Sequence, residues 1–360
     1  MSHLVAPAPF GGLEAVVAAL AGGMARRGHD VRILALLGAS GGCAAFEELI
    51  PLGVELVELR HPPRDYRAEA RAVRTEIDRR GAGVLHTHGY HADLVGLWAS
   101  GAPGSRLVST AHGFTGGGWK NRLYEWVDRR VLRRFNAVVA VSRPLGERLT
   151  ASGVPRDRVA VIPNGYVPPE ELLTREQARQ RLGIPSEALV AGWVGRLSHE
   201  KGPDLMLEAL RLAPAWHCAF IGTGPLRQLL IRQAERLGIA PRVGWHGALP
   251  AAAGYFRAFD AIVVSSRTEG TPIVVLEGMG AGVPLITTEV GGIPDMLTGA
   301  EALLVSAGSA EGIAEALEEV RARPEAARRR ALAARARLEA DYSLDSMLDR
   351  YETLYQGLAA

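Results

Sequence analysis

Two carboxylates at a fixed spacing mark the most reactive stretch of the chain. Glu269 and Glu277 stand eight positions apart. Glu269 lies in a polar loop, Ser266-Arg267-Thr268-Glu269-Gly270-Thr271-Pro272, directly after the apolar run 261–264. Glu277 lies in the segment that follows, which reads as a helix. Pro272 stands where a first helical turn tolerates proline, and Gly282 and Pro284 stand where a helix stops. The reading is strand, loop, helix, with one acid on the loop and the other about a turn and a half into the helix. Backbone N–H groups at such a helix start, at the positive end of its dipole, suit phosphate or sugar oxygens.

Other loops bring complementary groups. Val194-Gly195-Arg196-Leu197-Ser198-His199-Glu200-Lys201-Gly202-Pro203 follows an apolar run and carries two fixed cations, Arg196 and Lys201, ahead of a helix start. A guanidinium can grip phosphate with two hydrogen bonds, and an ammonium adds a point charge. Gly222 and Gly224 in Phe220–Pro225, His246 and Leu249 in Trp245–Pro250, and Gly291-Gly292 before Pro294 mark similar strand–turn junctions. Singly, each is readable as punctuation. Together they would ring one end of a sheet with backbone donors, two cations and two acids. That set suits a nucleotide diphosphate carrying a sugar: cations and helix starts hold the diphosphate, and carboxylates accept hydrogen bonds from hydroxyls.

The first half is less explicit. Phe10-Gly11-Gly12-Leu13-Glu14 opens a helix and permits close approach of an anion, or serves only as a tight turn. It has neither dinucleotide-fingerprint nor P-loop spacing. His112 falls at a strand end, where sites lie in α/β proteins; a structural histidine fits the same place. His86 and His88 have an i, i+2 spacing with no carboxylate or cysteine beside them, so no metal site is expected. Gly116-Gly117-Gly118 reads as a loop that orders on acceptor binding. It leads into a basic, aromatic, amphipathic stretch, 119–135. That stretch is readable as a peripheral membrane contact, or as a helix with Tyr124, Val127, Val131 and Leu132 in the core.

These groups need elements to position them. The 360 residues exceed one ordinary core and imply two domains. At 48% apolar, 22% charged and a formal charge of +2, the chain reads as globular, without the basicity of a nucleic-acid protein. The basic segment 321–337 reads as a solvated helix face. Cys43 and Cys218 form no disulfide or metal pattern, which favours a reducing compartment. No run is long enough to span a membrane, and the first residues lack signal-peptide features, so a cytoplasmic location is expected. Short β-branched runs alternate with helical segments in two series, on either side of the turn-rich Ile162–Pro169. The pattern predicts two parallel sheets covered on both faces, with a cleft between domains as the place for a small molecule. Thr174-Arg175-Glu176-Gln177 predicts a capping box. The end of the chain, 343–360, predicts a separate amphipathic helix with Leu344, Met347, Leu348, Tyr351, Leu354 and Tyr355 on one side.

In these residues the chain resembles the retaining glycosyltransferases of family 4, whose GT-B fold sets two facing Rossmann-like domains around an inter-domain cleft. Glu269 to Glu277 matches that family's E-x7-E motif, followed by Gly280-Ala281-Gly282-Val283-Pro284 and Gly291-Gly292. Val194-Gly195-Arg196 with Glu200-Lys201-Gly202 is the second strong match, and Gly11-Gly12-Leu13-Glu14, His112-Gly113, Val141-Ser142 and Pro163-Asn164-Gly165 follow the family's order. The family often has a large apolar residue where this chain has Thr271. The resemblance implies an acceptor-binding domain over 1–165, a donor-binding domain over 166–342 and a final helix, 343–360, packing back on the first. It implies that Arg196 and Lys201 bind the donor diphosphate, and that Glu269 with the backbone of Gly270 and Thr271 holds the sugar. Glu277 would bind the ribose. His246–Leu249 would face the base, Gly222 and Gly224 would line the pocket, Gly12 would approach the phosphate and His112 the sugar. Transfer from a UDP- or GDP-sugar to a hydroxyl acceptor, lipid-linked or not, with retention and without metal or other cofactor, is the expected activity, in glycan, exopolysaccharide or glycolipid synthesis. A nucleotide-sugar epimerase or hydrolase, or a non-catalytic sugar-binding protein, is the alternative.

Overall fold

The structure, a computed structural model, describes residues 1–7, 12–38, 42–62, 65–80, 83–100, 106–112, 130–169 and 171–359. The chain divides into two compact units, Met1–Gly165 with Leu344–Ala360, and Tyr166–Ser343. The break expected after residue 342 falls one residue later.

In the first unit the order is β1 (Ser2–Val5), α1 (Gly12–Arg26), β2 (Arg32–Leu37), β3 (Glu55–Arg60), α2 (Tyr66–Arg80), β4 (Val84–His88), α3 (Tyr90–Ala99), β5 (Arg106–Ala111), β6 (Ala137–Ala140), α4 (Arg143–Ala151) and β7 (Val159–Val161). All pair in parallel, in the order β3-β2-β1-β4-β5-β6-β7. Alternate residues feed two cores, as a doubly covered parallel sheet requires. Leu4, Leu34, Leu85 and Val138 pack under α2, α3 and α4. Val5, Ile33, Val108 and Val139 pack under α1 and the last helix of the chain.

The second unit runs α5 (Arg175–Leu182), β8 (Leu189–Val194), α6 (Pro203–Leu212), β9 (Trp216–Ile221), α7 (Arg227–Arg236), β10 (Val243–Gly247), β11 (Ala261–Val264), α8 (Ile273–Ala281), β12 (Leu285–Thr288), β13 (Leu303–Val305), α9 (Ala310–Ala322) and α10 (Pro324–Asp341). Its sheet is again parallel, ordered β10-β9-β8-β11-β12-β13. The capping box at Thr174 forms: its hydroxyl accepts from Gln177 N–H and the Gln177 side chain accepts from Thr174 N–H, while Gly183 closes α5 in the left-handed conformation. Pro284 precedes β12 and contributes only its carbonyl, which accepts from Ile262 N–H at 2.9 Å.

The final helix, α11 (Leu344–Ala359), belongs to the first unit. Met347, Leu348, Tyr351 and Tyr355 are buried there, with Leu344 and Leu354 partly so. Gly23 of α1 lets it close: a Cβ at that position would overlap the Leu348 side chain. Of the stretch 119–135, residues 119–129 lie outside the described residues, as do Phe10, Gly11 and Gly116-Gly117-Gly118. In the remainder Val131, Leu132 and Phe135 are buried and Arg133 and Arg134 exposed. Among the described residues no helix is long and apolar enough to cross a membrane.

Candidate active site

In each sheet the strand order reverses once, between β1 and β4 and between β8 and β11. Ligands of open parallel sheets bind beyond the carboxyl ends of the strands at such points. The loops after β8 and β11 are the ones that carry Arg196, Lys201 and Glu269.

The two loops are bolted together. Lys201 Nζ donates to both carboxylate oxygens of Glu269, at 2.7 and 2.8 Å, and Ser266 Oγ donates to Oε1 at 2.6 Å. The Glu269 side chain is only 5% exposed and that of Lys201 31%, so the pair is half open to solvent on the lysine side. Around it, Arg267 N–H donates to Glu200 O at 2.7 Å, and the Arg267 guanidinium grips Asp204 at 2.9 and 2.7 Å. Trp193 Nε1 donates to Ser265 Oγ, which donates onward to Gly202 O. Gly202 has φ of +64°, and a Cβ there would overlap the Ser265 carbonyl. Thr288 Oγ1 donates to Ser266 O, and Gly292 N–H donates to Gly270 O at 3.0 Å. The acid's position is therefore held by three loops, those after β8, β11 and β12.

Arg196 is exposed, and its guanidinium makes no hydrogen bond or ion pair among the described residues; its carbonyl accepts from Ser198 N–H at 2.8 Å. Glu277, on the second turn of α8, is half-buried, its carboxyl likewise has no hydrogen-bond partner among the described residues, and burial pushes that carboxyl up to about 7. The Tyr166 hydroxyl is raised first by burial and then by the charge of Glu277. Gly280, one turn on, makes room for the Tyr166 ring. Thr271 is buried at the helix entrance.

Gly222, Gly224, His246 and Leu249 follow β9 and β10. Gly222 N–H donates to Gly247 O at 2.6 Å, and Leu197 N–H donates to Thr223 O at 2.9 Å. Side chains at Gly222 or Gly224 would run into the carbonyls of Gly195 or Leu197. Both glycines are thus explained by close loop packing. Burial lowers the His246 imidazole. An in-register aromatic ladder underlies these loops: Trp193 pairs with Phe220 and Phe220 with Trp245, the latter rings stacked at 4.6 Å. This ladder is not apparent from the sequence. Its signal is the same residue class at one register on three strands, visible only once the strands are paired.

Gly12 and His112 belong to the first unit. Gly12 is the first residue of α1. His112 follows β5, and burial pushes its imidazole down to about 4. Behind it lies a cluster the sequence did not suggest. His3, from β1, joins His86 and His88 with one ligand-type nitrogen each within 4.8 Å. Both ring nitrogens of His86 are taken, by Tyr355 OH at 2.6 Å and Thr110 Oγ1 at 2.7 Å.

Comparison with known families fits this geometry. Residues 174–337 match the model for glycosyl transferases group 1, and residues 11–165 match the glycosyl transferase 4-like domain. The chain belongs to the group 1 glycosyltransferases. Among curated relatives of this glycosyltransferase family, the lipopolysaccharide core biosynthesis mannosyltransferase LpsB of Rhizobium meliloti is 31% identical over 47% of this chain and 50% of that protein. The 2-deoxystreptamine N-acetyl-D-glucosaminyltransferase of Streptomyces fradiae is 34% identical over 49% of this chain and 44% of that protein. The chain thus spans about half the length of these relatives. Anabaena HepE, solved with UDP and glucose, superposes with a TM-score of 0.84 over 98% of both chains at 21% identity, which places the fold in the GT-B class.

Proposed function

We propose that this chain is a retaining glycosyltransferase that moves a sugar from a nucleotide diphosphate sugar to a hydroxyl acceptor in glycan, polysaccharide or glycolipid synthesis. The observation that carries the reading is the Lys201–Glu269 pair at the switch point of the second sheet, with unpartnered Arg196 on the same loop as Lys201. A carboxylate beside a bare phosphate would repel it. A carboxylate already neutralised by an ammonium does not, and its remaining lone pairs accept from sugar hydroxyls. Lys201 then bridges sugar-binding acid and diphosphate, and Arg196 takes the phosphate oxygens, where negative charge grows as the leaving group departs. Glu277 accepts from the ribose, the backbone at Gly270 and Thr271 supports the sugar, and the loops at Gly222–Gly224 and His246–Leu249 flank the nucleotide. His112 and Gly12, in the first unit, are assigned to the donor on the family motifs they belong to.

In this reading no metal ion is needed, because Arg196, Lys201 and backbone N–H groups supply the positive field. The leaving phosphate takes the acceptor proton on the face it departs from, so the anomeric configuration is kept. Similarity to relatives acting with mannose and N-acetylglucosamine, and to a structure holding UDP, makes UDP- and GDP-hexoses the first donors to try. The acceptor, lipid-linked or soluble, is taken by the first unit; a peripheral membrane contact through 119–135 belongs to the same proposal. A nucleotide-sugar screen in the presence of EDTA, with product analysis by anomeric NMR, tests it. An α-linked product from an α-donor supports the assignment. An inverted product rejects retention, and activity lost to EDTA and restored by Mg²⁺ rejects metal independence.

A further inference from the structure

Three histidines of the first unit form a row with a direction. His3 lies opposite His86 across β1 and β4, and His88 lies opposite Thr110 across β4 and β5, so these side chains share the face covered by α1 and α11. His3 Nδ1 stands 3.1 Å from His88 Nε2, and His88 Nδ1 stands 3.4 Å from His112 Nε2. His86 is outside the row, held by Tyr355 and Thr110, whose Oγ1 lies 2.9 Å from Tyr351 OH. Burial keeps the imidazoles of the row neutral at ordinary pH. A neutral imidazole has one N–H and one bare nitrogen, so fixing one ring fixes its neighbours.

The fixed end is His3. Its Nε2 is buried with no hydrogen-bond partner among the described residues. An orphaned buried N–H is rarer and costlier than an unused acceptor, so the His3 proton sits on Nδ1. His3 Nδ1–H then donates to His88 Nε2. His88 carries its proton on Nδ1 and donates to His112 Nε2. His112 therefore carries its proton on Nδ1, which has no partner among the described residues.

We propose that His3 and His88 are positioning residues that lock His112 as an Nδ1–H donor, so that it gives a hydrogen bond to an oxygen of the donor sugar or its phosphate and does not act as a general base. This rests on the reading of His112 as a donor-site residue. Hydrogen bonds in a row polarise one another, which strengthens the last one toward the ligand.

The test is a ¹⁵N–¹H correlation spectrum of the full chain, labelled at histidine, paired with transfer kinetics. The wild-type protein should show His3, His88 and His112 all protonated on Nδ1. In His3→Phe the His112 signals should move toward a tautomer mixture, and kcat should fall roughly tenfold with the donor KM held within about twofold. His3→Gln, whose amide can donate in place of Nδ1–H, should recover much of both. An Nε2–H form of His112 in the wild type, or an unchanged His112 signal in folded His3→Phe, overturns the lock. So does a zinc ion found seated on His3 and His88 in the purified protein. Normal transfer by His112→Ala, with the Nδ1–H signals as expected, overturns instead the donor-site reading of His112.

Discussion

Lys201 and Glu269 set opposite demands on one contact. The acid is almost fully buried, so removing its partner leaves a charge with only Ser266 Oγ to hold it. Lys201→Ala should therefore destabilise the second unit by roughly 2–3 kcal/mol, below the range for a fully buried pair because the lysine is partly exposed. Glu269→Gln should cost less, since the ammonium can turn to water. A double-mutant cycle by urea unfolding should return a coupling above about 1 kcal/mol, and additive effects would contradict the pairing. Each single change should lower kcat on the order of a hundredfold, Lys201→Ala because it removes positive charge where the leaving group turns negative, and Glu269→Gln because it weakens the acceptor that holds the sugar in place. Glu277 behaves differently. Its folded carboxyl titrates at about 7, above the ordinary 4.5, so the folded state holds that proton more tightly than the unfolded chain does. Its contribution to stability is greatest at low pH and declines as pH rises from the unfolded value through the folded one. Nucleotide affinity should run the other way, rising through about pH 7 as the carboxylate becomes a full acceptor for ribose hydroxyls. Calorimetric titrations with UDP and GDP from pH 5.5 to 8.5 check this; Glu277→Gln should flatten both trends, and a wild-type affinity that is level with pH would refute it. The placement of both acids and both cations was legible in the sequence, because Arg196, Lys201 and Glu269 sit in loops, and Glu277 in a helix, whose strand and helix signals are local. The histidine row was not, since its members are far apart in the chain and meet only through the register of β1, β4 and β5.

At the scale of elements, the glycines separate into two kinds. Gly183 ends α5 with φ of +65° and open space around it. Gly291 has φ of +56° and its Cα lies against the Glu269 carbonyl, so a methyl group there displaces the loop that aims the acid. Gly183→Ala should cost about 1 kcal/mol and leave transfer untouched. Gly291→Ala should cost roughly 2–3 kcal/mol and also weaken nucleotide binding, because strain and steric overlap add at that position. Thermal unfolding with and without nucleotide separates the two; equal losses in both variants would mean that the loop contact has no functional weight. The alternation of strands and helices, the capping box and the end of α8 were all readable from local pattern, with ends displaced by a residue or two. The ties between loops were not. The bond from Arg267 to Asp204, the Trp193–Ser265–Gly202 bridge and the ladder through Phe220 each join neighbours in the sheet that are distant in sequence. Sequence pattern names the elements of a parallel sheet; strand order decides which loops meet, and only the order β10-β9-β8-β11-β12-β13 brings the loops after β8 and β11 side by side.

At the scale of the molecule, the two units are unlike in how the chain builds them. The second is continuous, Tyr166–Ser343, and both faces of its sheet are covered by its own helices. The first needs a segment from the far end of the chain. Without Met347, Leu348, Tyr351 and Tyr355 of α11, one face of the first sheet is covered only in part, by α1, and His86 and Thr110 lose the tyrosine hydroxyls that satisfy them. Arg27 of the first unit also holds Asp345, Asp349 and Glu352 of this helix, at 3.1, 2.7 and 2.8 Å, though such exposed pairs add little beside the apolar burial. A fragment of residues 1–165 should therefore lack a cooperative unfolding transition, and adding a peptide of residues 344–360 should restore one. A fragment of residues 166–343 should fold alone. Since Arg196, Lys201, Glu269 and Glu277 all lie in it, nucleotide diphosphate at a hundredfold excess over its dissociation constant should stabilise this fragment by about 2.7 kcal/mol. Transfer should be absent until the first unit is supplied. Circular dichroism melts of the three species, with and without UDP or GDP, are sufficient. A folded 166–343 fragment that ignores both nucleotides would show that the donor site is not contained in the second unit, whatever its four charged residues suggest.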